Sequence, residues 1–188
     1  MAARRCWLVF DLNKTLATKH RRRTDASRFT MRPHVHECLR ALGASGRFRL
    51  AIWTSGQLAN TTPTVELLEQ EAGVSFDRVL TRDDTQRASF AGAKPWDTIK
   101  PLAAVGFKDL SSVVMVDASP HKARAEERAN FLFVPPWSPP EPTDGVFAAL
   151  TQPLLDLADV PDVREHTANL ARIAFNAVGE NPPILAAE

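Results

Sequence analysis

Short apolar runs rich in branched residues alternate along the chain with longer segments of helical period, the pattern of a parallel sheet with helices between its strands. Cys6–Phe10 reads as a buried strand ending at Asp11, and Pro33–Leu42 as a helix opened by proline in its first turn and closed by Gly43. A second strand is expected at Arg49–Trp53, then a helix over Thr64–Glu71 stopped by Gly73 and a third strand at Arg78–Thr81. The polar stretch Arg82–Ala93 reads as loop, Trp96–Ala104 as a helix ended by Gly106, and Ser112–Val116 as a strand ending at Asp117. A short helix near His121–Arg128 and a strand at Phe131–Val134 follow. Pro135, Pro136, Pro139, Pro140 and Pro142 make an extended connector, beyond which Val146–Leu157 and Val163–Phe175 read as amphipathic helices able to pack on the sheet. The expected architecture is a single α/β domain over residues 1–176, a mainly parallel sheet flanked by helices, with 177–188 as a tail.

Charge and composition narrow the classes this fold could serve. With 23 Lys+Arg against 22 Asp+Glu in 188 residues, no global field draws the chain to nucleic acid or an anionic membrane. A local cluster is the exception: Lys14, Lys19, His20, Arg21, Arg22, Arg23, Arg28 and Arg32 crowd one stretch. Such a run reads first as a solvated loop, with a phosphorylated or acidic partner as the functional alternative and nucleic acid bound through segment 14–32 as a third. Two cysteines, Cys6 and Cys38, are too few for a disulfide scaffold and point to a reducing compartment. Apolar runs reach about five residues, far short of the roughly 20 that span a bilayer, and Trp7–Phe10 is too short for a signal core. The expected setting is cytoplasmic or nuclear, without a membrane partner. Trp7, Trp53 and Trp96 read as core or core-edge aromatics; Trp137, among prolines, reads as packed on the sheet or as a partner contact. His34 and His36, two apart, face different sides and do not read as a metal pair.

Three strand ends deliver polar residues to one edge: Asp11-Leu12-Asn13-Lys14-Thr15, Thr54-Ser55-Gly56 and Asp117-Ala118-Ser119-Pro120. Ligands of open α/β sheets bind outside the carboxyl ends of the strands, so this edge is the place for a site. Asp11 and Asp117 could share one Mg²⁺, which takes a few carboxylates plus waters. Thr54 and Lys100 could hold a phosphoryl group that Asp11 attacks. Taken one at a time, each acid could equally be an Asx turn or a helix cap, the role expected of Ser119 before Pro120.

In order and spacing, DLNKTL, MRPHVHECLRAL, LAIWTSG, TIKPLAAVGFKDLSSVVMVDASPHKA and the late VPPW segment resemble the haloacid dehalogenase phosphatase superfamily. Within it they resemble the RNA polymerase II C-terminal-domain phosphatases and their LIM-interactor-interacting-factor relatives, over residues 6 to 172. The resemblance implies a Rossmann-like sheet without a large cap domain and a Mg²⁺-dependent phosphatase acting on phosphoserine or phosphothreonine of a protein. It implies Asp11 as nucleophile, Thr54 with Ser55 as substrate ligands, Lys100 as the charge-neutralising lysine with Lys94 as runner-up, and Asp11, Asn13 and Asp117 at the metal.

Two positions depart from the family pattern. Asn13 stands where family phosphatases carry the aspartate that protonates the leaving oxygen and then activates water, and an amide exchanges no proton near neutral pH. General acid–base catalysis is typically worth roughly 10²–10⁴-fold, so slow turnover is expected. Ala118 stands where an Asp or Asn usually completes the metal shell. A catalytically silent module that docks a phosphorylated or acidic partner is therefore the alternative reading.

Overall fold

A computed structural model describes residues 5–19, 29–90, 92–139 and 143–183. Most of the basic cluster, from His20 to Arg28, and the tail beyond 183 lie outside the described residues. Five parallel strands form the central sheet in the order β5-β4-β1-β8-β9. They are β1 (Cys6–Phe10), β4 (Phe48–Trp53), β5 (Arg78–Leu80), β8 (Val113–Asp117) and β9 (Phe131–Phe133). Between β1 and β4 stands a hairpin of β2 (Ala17–Lys19) and β3 (Phe29–Met31), and before β8 a second of β6 (Gln86–Arg87) and β7 (Thr98–Ile99). Neither hairpin has the size of a cap domain.

Side-chain alternation places Leu8, Phe10, Leu50, Ile52, Val114, Val116 and Leu132 against the helices, and Val9, Ala51, Trp53, Met115, Phe131 and Phe133 on the opposite face. All of these are buried, as expected of parallel strands covered on both sides. The helices α1 (Val35–Ala44), α2 (Leu58–Ala72), α3 (Val146–Asp156) and α4 (Thr167–Asn176) cover the first face. The second is covered by Leu102, Phe107 and neighbouring 3₁₀ turns. Among the described residues, no helix is long and apolar enough to cross a membrane.

Several elements differ from the sequence reading, each for a local reason. The helix expected at Trp96–Ala104 is strand β7 followed by a 3₁₀ turn at Ala103–Val105. Pro101 denies that segment a backbone donor, Thr98 pairs with Arg87, and the Lys100 amide donates to Lys122 O at 2.8 Å. The expected loop at Arg82–Ala93 contains a 3₁₀ turn, closed by reciprocal bonds between Thr81 and Asp84, and strand β6. The short helix near His121–Arg128 is two 3₁₀ turns. Gly43 does not end α1, which runs through it to Ala44. Its role is close approach, because a Cβ there would stand 2.7 Å from Val74 Cγ1. Helix α2 begins six residues early and tolerates Pro63 in its second turn, while Gly73, at φ 66°, ends it as expected.

Trp96 is not a core aromatic: it is 62% exposed, with the Lys94 ammonium 5.7 Å from its ring centre. Trp137 is buried, and its amide donates to Lys14 O. Arg32 does not belong to a solvated basic run. It is 2% exposed and bonds Asp144 through two nitrogens, at 3.0 and 2.7 Å.

Candidate active site

The strand order places β1 between β4 and β8, so the chain leaves β1 toward one edge and later returns to its other side. Crevices open at such reversals, at the carboxyl ends of the strands. Asp11 follows β1 and Asp117 ends β8; the Asp11 amide donates to Val116 O at 2.9 Å, which holds the two strand ends side by side.

Immediately after Asp11 the chain turns sharply. Leu12 O accepts from the amides of Thr15, Leu16 and Ala17, and Lys14 sits in the left-handed region at φ 64°. A side chain in that conformation costs of order 1 kcal/mol, which the surrounding bonds must offset. The turn exposes Asn13 and Lys14 while folding Thr15 inward. The Thr15 hydroxyl donates to Asp11 Oδ2 at 3.1 Å and accepts from the Ala118 amide, linking the first strand end to the last.

Lys100 is the center of the arrangement. Its side chain is fully buried, and its Nζ donates to Asp11 Oδ1 and Asp117 Oδ2, both at 2.7 Å. Those two oxygens are therefore within 5.4 Å of each other, twice that bond length. Three amides in and just after Lys100 hold it there: its own donates to Lys122 O, and those of Leu102 and Ala103 donate to the buried carboxylate of Glu127. Burial alone would push the ammonium down, but the two carboxylates outweigh it and leave its pKa raised. Asp117 goes up to about 6: burial drives it, the Lys100 charge opposes, and the nearby Asp11 adds to the rise. One ammonium serving two buried carboxylates leaves the cluster short of positive charge.

An open cleft of about 660 Å³ lies above this cluster, reached by Asp11, Asn13, Thr54, Ser55 and Asp117. Thr54 is buried with its hydroxyl accepting from the Gly56 amide at 3.2 Å, and the half-buried Ser55 hydroxyl pairs with Thr98 Oγ1. All the residues expected at the site are thus within one cleft and its floor. Lys94 is apart from it, on the surface beside Trp96. Ser119 does not cap the following turn with its side chain; its amide instead donates to Asp117 Oδ1 at 2.8 Å. Among the described residues, no three His, Cys, Asp or Glu side chains gather into a metal cluster.

Sequence reasoning gave no role to Thr15, Glu127 or Lys122. Thr15 lay inside the DLNKTL segment, so its position was available. Glu127 and Lys122 act across the fold on the segment around Lys100, and no local pattern announces that.

The five-stranded parallel sheet with its central reversal, covered on both faces, is consistent with the Rossmann-like haloacid dehalogenase fold that the motif order resembles. More narrowly, the family model for NLI interacting factor-like phosphatases matches residues 6–164, and the chain belongs to that family. Among solved structures it is similar to Fcp1, described as an essential RNA polymerase II CTD phosphatase, at 18% identity and a TM-score of 0.54, covering 97% of this chain and 56% of that one. The fission yeast Fcp1 bound to beryllium fluoride aligns at 17% identity and a TM-score of 0.52, covering 88% and 54%. The chain spans little more than half the length of these proteins, and at such identities the likeness is one of fold. No curated protein matches the chain.

Proposed function

We propose that this chain is a phosphoprotein phosphatase domain whose nucleophile is Asp11. The observation that carries the reading is Lys100 bonded to both Asp11 and Asp117 at the mouth of the sheet reversal. In the first step an Asp11 carboxylate oxygen forms a bond to phosphorus while the ester P–O bond breaks, its electron pair leaving on the substrate oxygen. Water then attacks the phosphorus as the Asp11 Oδ–P bond breaks, which returns the carboxylate and frees inorganic phosphate; of the two water protons one stays on the phosphate and the other neutralises the departed substrate oxygen. Lys100 offsets the negative charge that builds as an anionic substrate meets two aspartates. Thr54 and Ser55 supply hydroxyls at the cleft for the phosphoryl oxygens.

A cluster of two carboxylates short of positive charge, with oxygen donors only, suits Mg²⁺. Asp11, Asp117 and the backbone carbonyl of Asn13 would hold it, with waters completing the shell because Ala118 offers no side-chain oxygen. When bound, the ion supplies Lewis-acid neutralisation of phosphoryl charge. The open cleft, with Ala17 and Phe29 of the first hairpin in its wall, admits an extended protein segment. Serine or threonine phosphate is the expected ester, and the cytoplasm or nucleus the expected setting.

Asn13 and Ala118 favour a second reading, a module that binds the phosphorylated segment without turning it over. One experiment separates the two. Hydrolysis of para-nitrophenyl phosphate and of phosphopeptides is measured with Mg²⁺ for the wild type and for Asn13→Asp. Slow wild-type turnover that rises by roughly 10²-fold or more in Asn13→Asp supports the enzyme. A silent wild type made active by the substitution supports the binding module, and silence in both overturns the phosphatase site.

A further inference from the structure

The deepest cation of the cleft is committed to protein carboxylates, and a second one is not. Lys122 lies on the cleft wall, half-buried, and its Nζ donates to Thr98 O at 2.9 Å and Thr98 Oγ1 at 3.1 Å. Both partners are neutral, and among the described residues no carboxylate forms an ion pair with it. Thr98 in turn bonds the Ser55 hydroxyl at 3.2 Å. A chain of hydrogen bonds, Lys122–Thr98–Ser55, therefore runs from the segment after β8 to the end of β4. The ammonium hydrogen-bonds only a carbonyl and a hydroxyl; burial and the nearby Lys100 charge lower its pKa, while the carboxylates of Asp117, Asp11 and Asp97 act the other way without outweighing them. Its Nζ has three protons and two protein acceptors, so one donor remains for a ligand.

We infer that Lys122, positioned by Thr98, forms a second anion subsite beside the phosphoryl pocket, so that the preferred substrate is a phosphorylated segment carrying another anionic group next to its phosphate. The inference rests on the reading of the Asp11 cleft as a phosphate site and names the substrate class for it. Two anions have the required chemistry, a neighbouring aspartate or glutamate side chain and a second phosphate. Either one replaces a lost hydration shell on the ammonium with a charge-assisted hydrogen bond.

The test is a binding measurement, which needs no turnover. Three fluorescent phosphopeptides are titrated against the full chain with Mg²⁺: one with neutral flanks, one with an acidic residue beside the phosphate, and one with a second phosphate. Wild type is expected to bind at least one of the doubly anionic peptides roughly tenfold more tightly than the neutral-flanked one. Whether the acidic or the doubly phosphorylated peptide gains more identifies the anion. Lys122→Gln should weaken the doubly anionic peptides roughly tenfold more than the neutral-flanked one and so remove the preference, Lys122→Arg should keep most of it, and Lys94→Gln, outside the cleft, should keep it all. A merely structural lysine would shift all three peptides together, and that result overturns the subsite. So does equal binding of the three by wild type, or a preference that survives in Lys122→Gln. If no peptide binds at all, the phosphate-site reading itself fails and takes the subsite with it.

Discussion

Two buried ionic clusters stand next to each other in this molecule and are built on opposite principles. Arg32 and Asp144 are matched one to one: two guanidinium nitrogens meet the two carboxylate oxygens, a third bonds Pro135 O at 2.9 Å, and the Val146 amide at the start of α3 donates to Asp144 Oδ1. Lys100 faces two carboxylates with one charge. The balanced pair closes upon itself and ties β3, the proline connector and α3 together. The unbalanced cluster lies under an open cleft, where its two carboxylates share the hydrogen bonds of a single ammonium. A buried ion pair is weak evidence of function by itself. The stoichiometry and the cleft, more than the burial, separate a structural pair from a site.

Removing Asp11 gives the largest contrast. Asp11→Asn should abolish phosphatase activity, since an amide cannot form the acyl-phosphate, and should prevent a beryllium fluoride adduct. It should not lower the melting temperature, because it leaves Lys100 and Asp117 matched one to one. A circular-dichroism melt alongside the activity assay checks both parts. A loss of stability with activity retained would make Asp11 a structural residue and end the comparison.

Breaking the balanced pair should do the reverse. Arg32→Ala leaves Asp144 buried without its cation, which typically costs about 3–5 kcal/mol. In a domain of this size that is a drop on the order of 10 °C in melting temperature. Catalytic residues remain in place, so the activity of the folded fraction, measured well below the new midpoint, should change much less than in Asp11→Asn. An Arg32→Ala protein that melts with the wild type would show that the pair contributes nothing net.

How much of this contrast was legible in the sequence differs between the two clusters. The fold was, because the apolar runs Cys6–Phe10, Leu50–Trp53 and Val113–Val116 of β1, β4 and β8 lead directly into the polar motifs. Asp11, Thr54, Lys100 and Asp117 stood in motifs whose order carried the family resemblance, and the folded chain brings them to one cleft. Arg32 was misread because it is adjacent in sequence to a basic run, while its partner lies 112 residues away. The segment around Lys100 does not form the expected helix because Pro101 interrupts its apolar spacing and its amides donate to distant acceptors, the Lys122 carbonyl and the Glu127 carboxylate. Pairings across the sheet edge leave no periodic trace in the chain, so the lysine's identity was readable and the device that positions it was not.

Within the unbalanced cluster the lysine itself is the next place to probe. Lys100→Ala should weaken binding of inorganic phosphate or vanadate by roughly tenfold or more, since it leaves two buried carboxylates facing an anion. Lys94→Ala, on the exposed side of Trp96, should have little effect. Titration of both variants gives the order of the two effects, and the reverse order would assign the charge-neutralising role to the wrong lysine.

The smallest expected effect sharpens the comparison by supplying burial with no cation at all. Cys38 lies on the core face of α1, and its thiol is raised from 9.0 to about 11, mainly by burial, with a hydrogen bond to Thr151 opposing and Glu37 adding slightly. In the unfolded chain the thiol ionises near its ordinary value, while in the folded chain it stays protonated until about pH 11. Between those values the unfolded state binds fewer protons than the folded one, so stability falls as pH rises through that window. The contribution is complete below about pH 9 and is lost progressively up to pH 11, by roughly 2 kcal/mol. Urea midpoints of wild type and Cys38→Ala, measured from pH 8 to 11, isolate it: the wild type should lose more stability than the variant across that range. Parallel curves would mean that the thiol ionises as readily in the core as in water, and that burial alone does not set the acid's behaviour here.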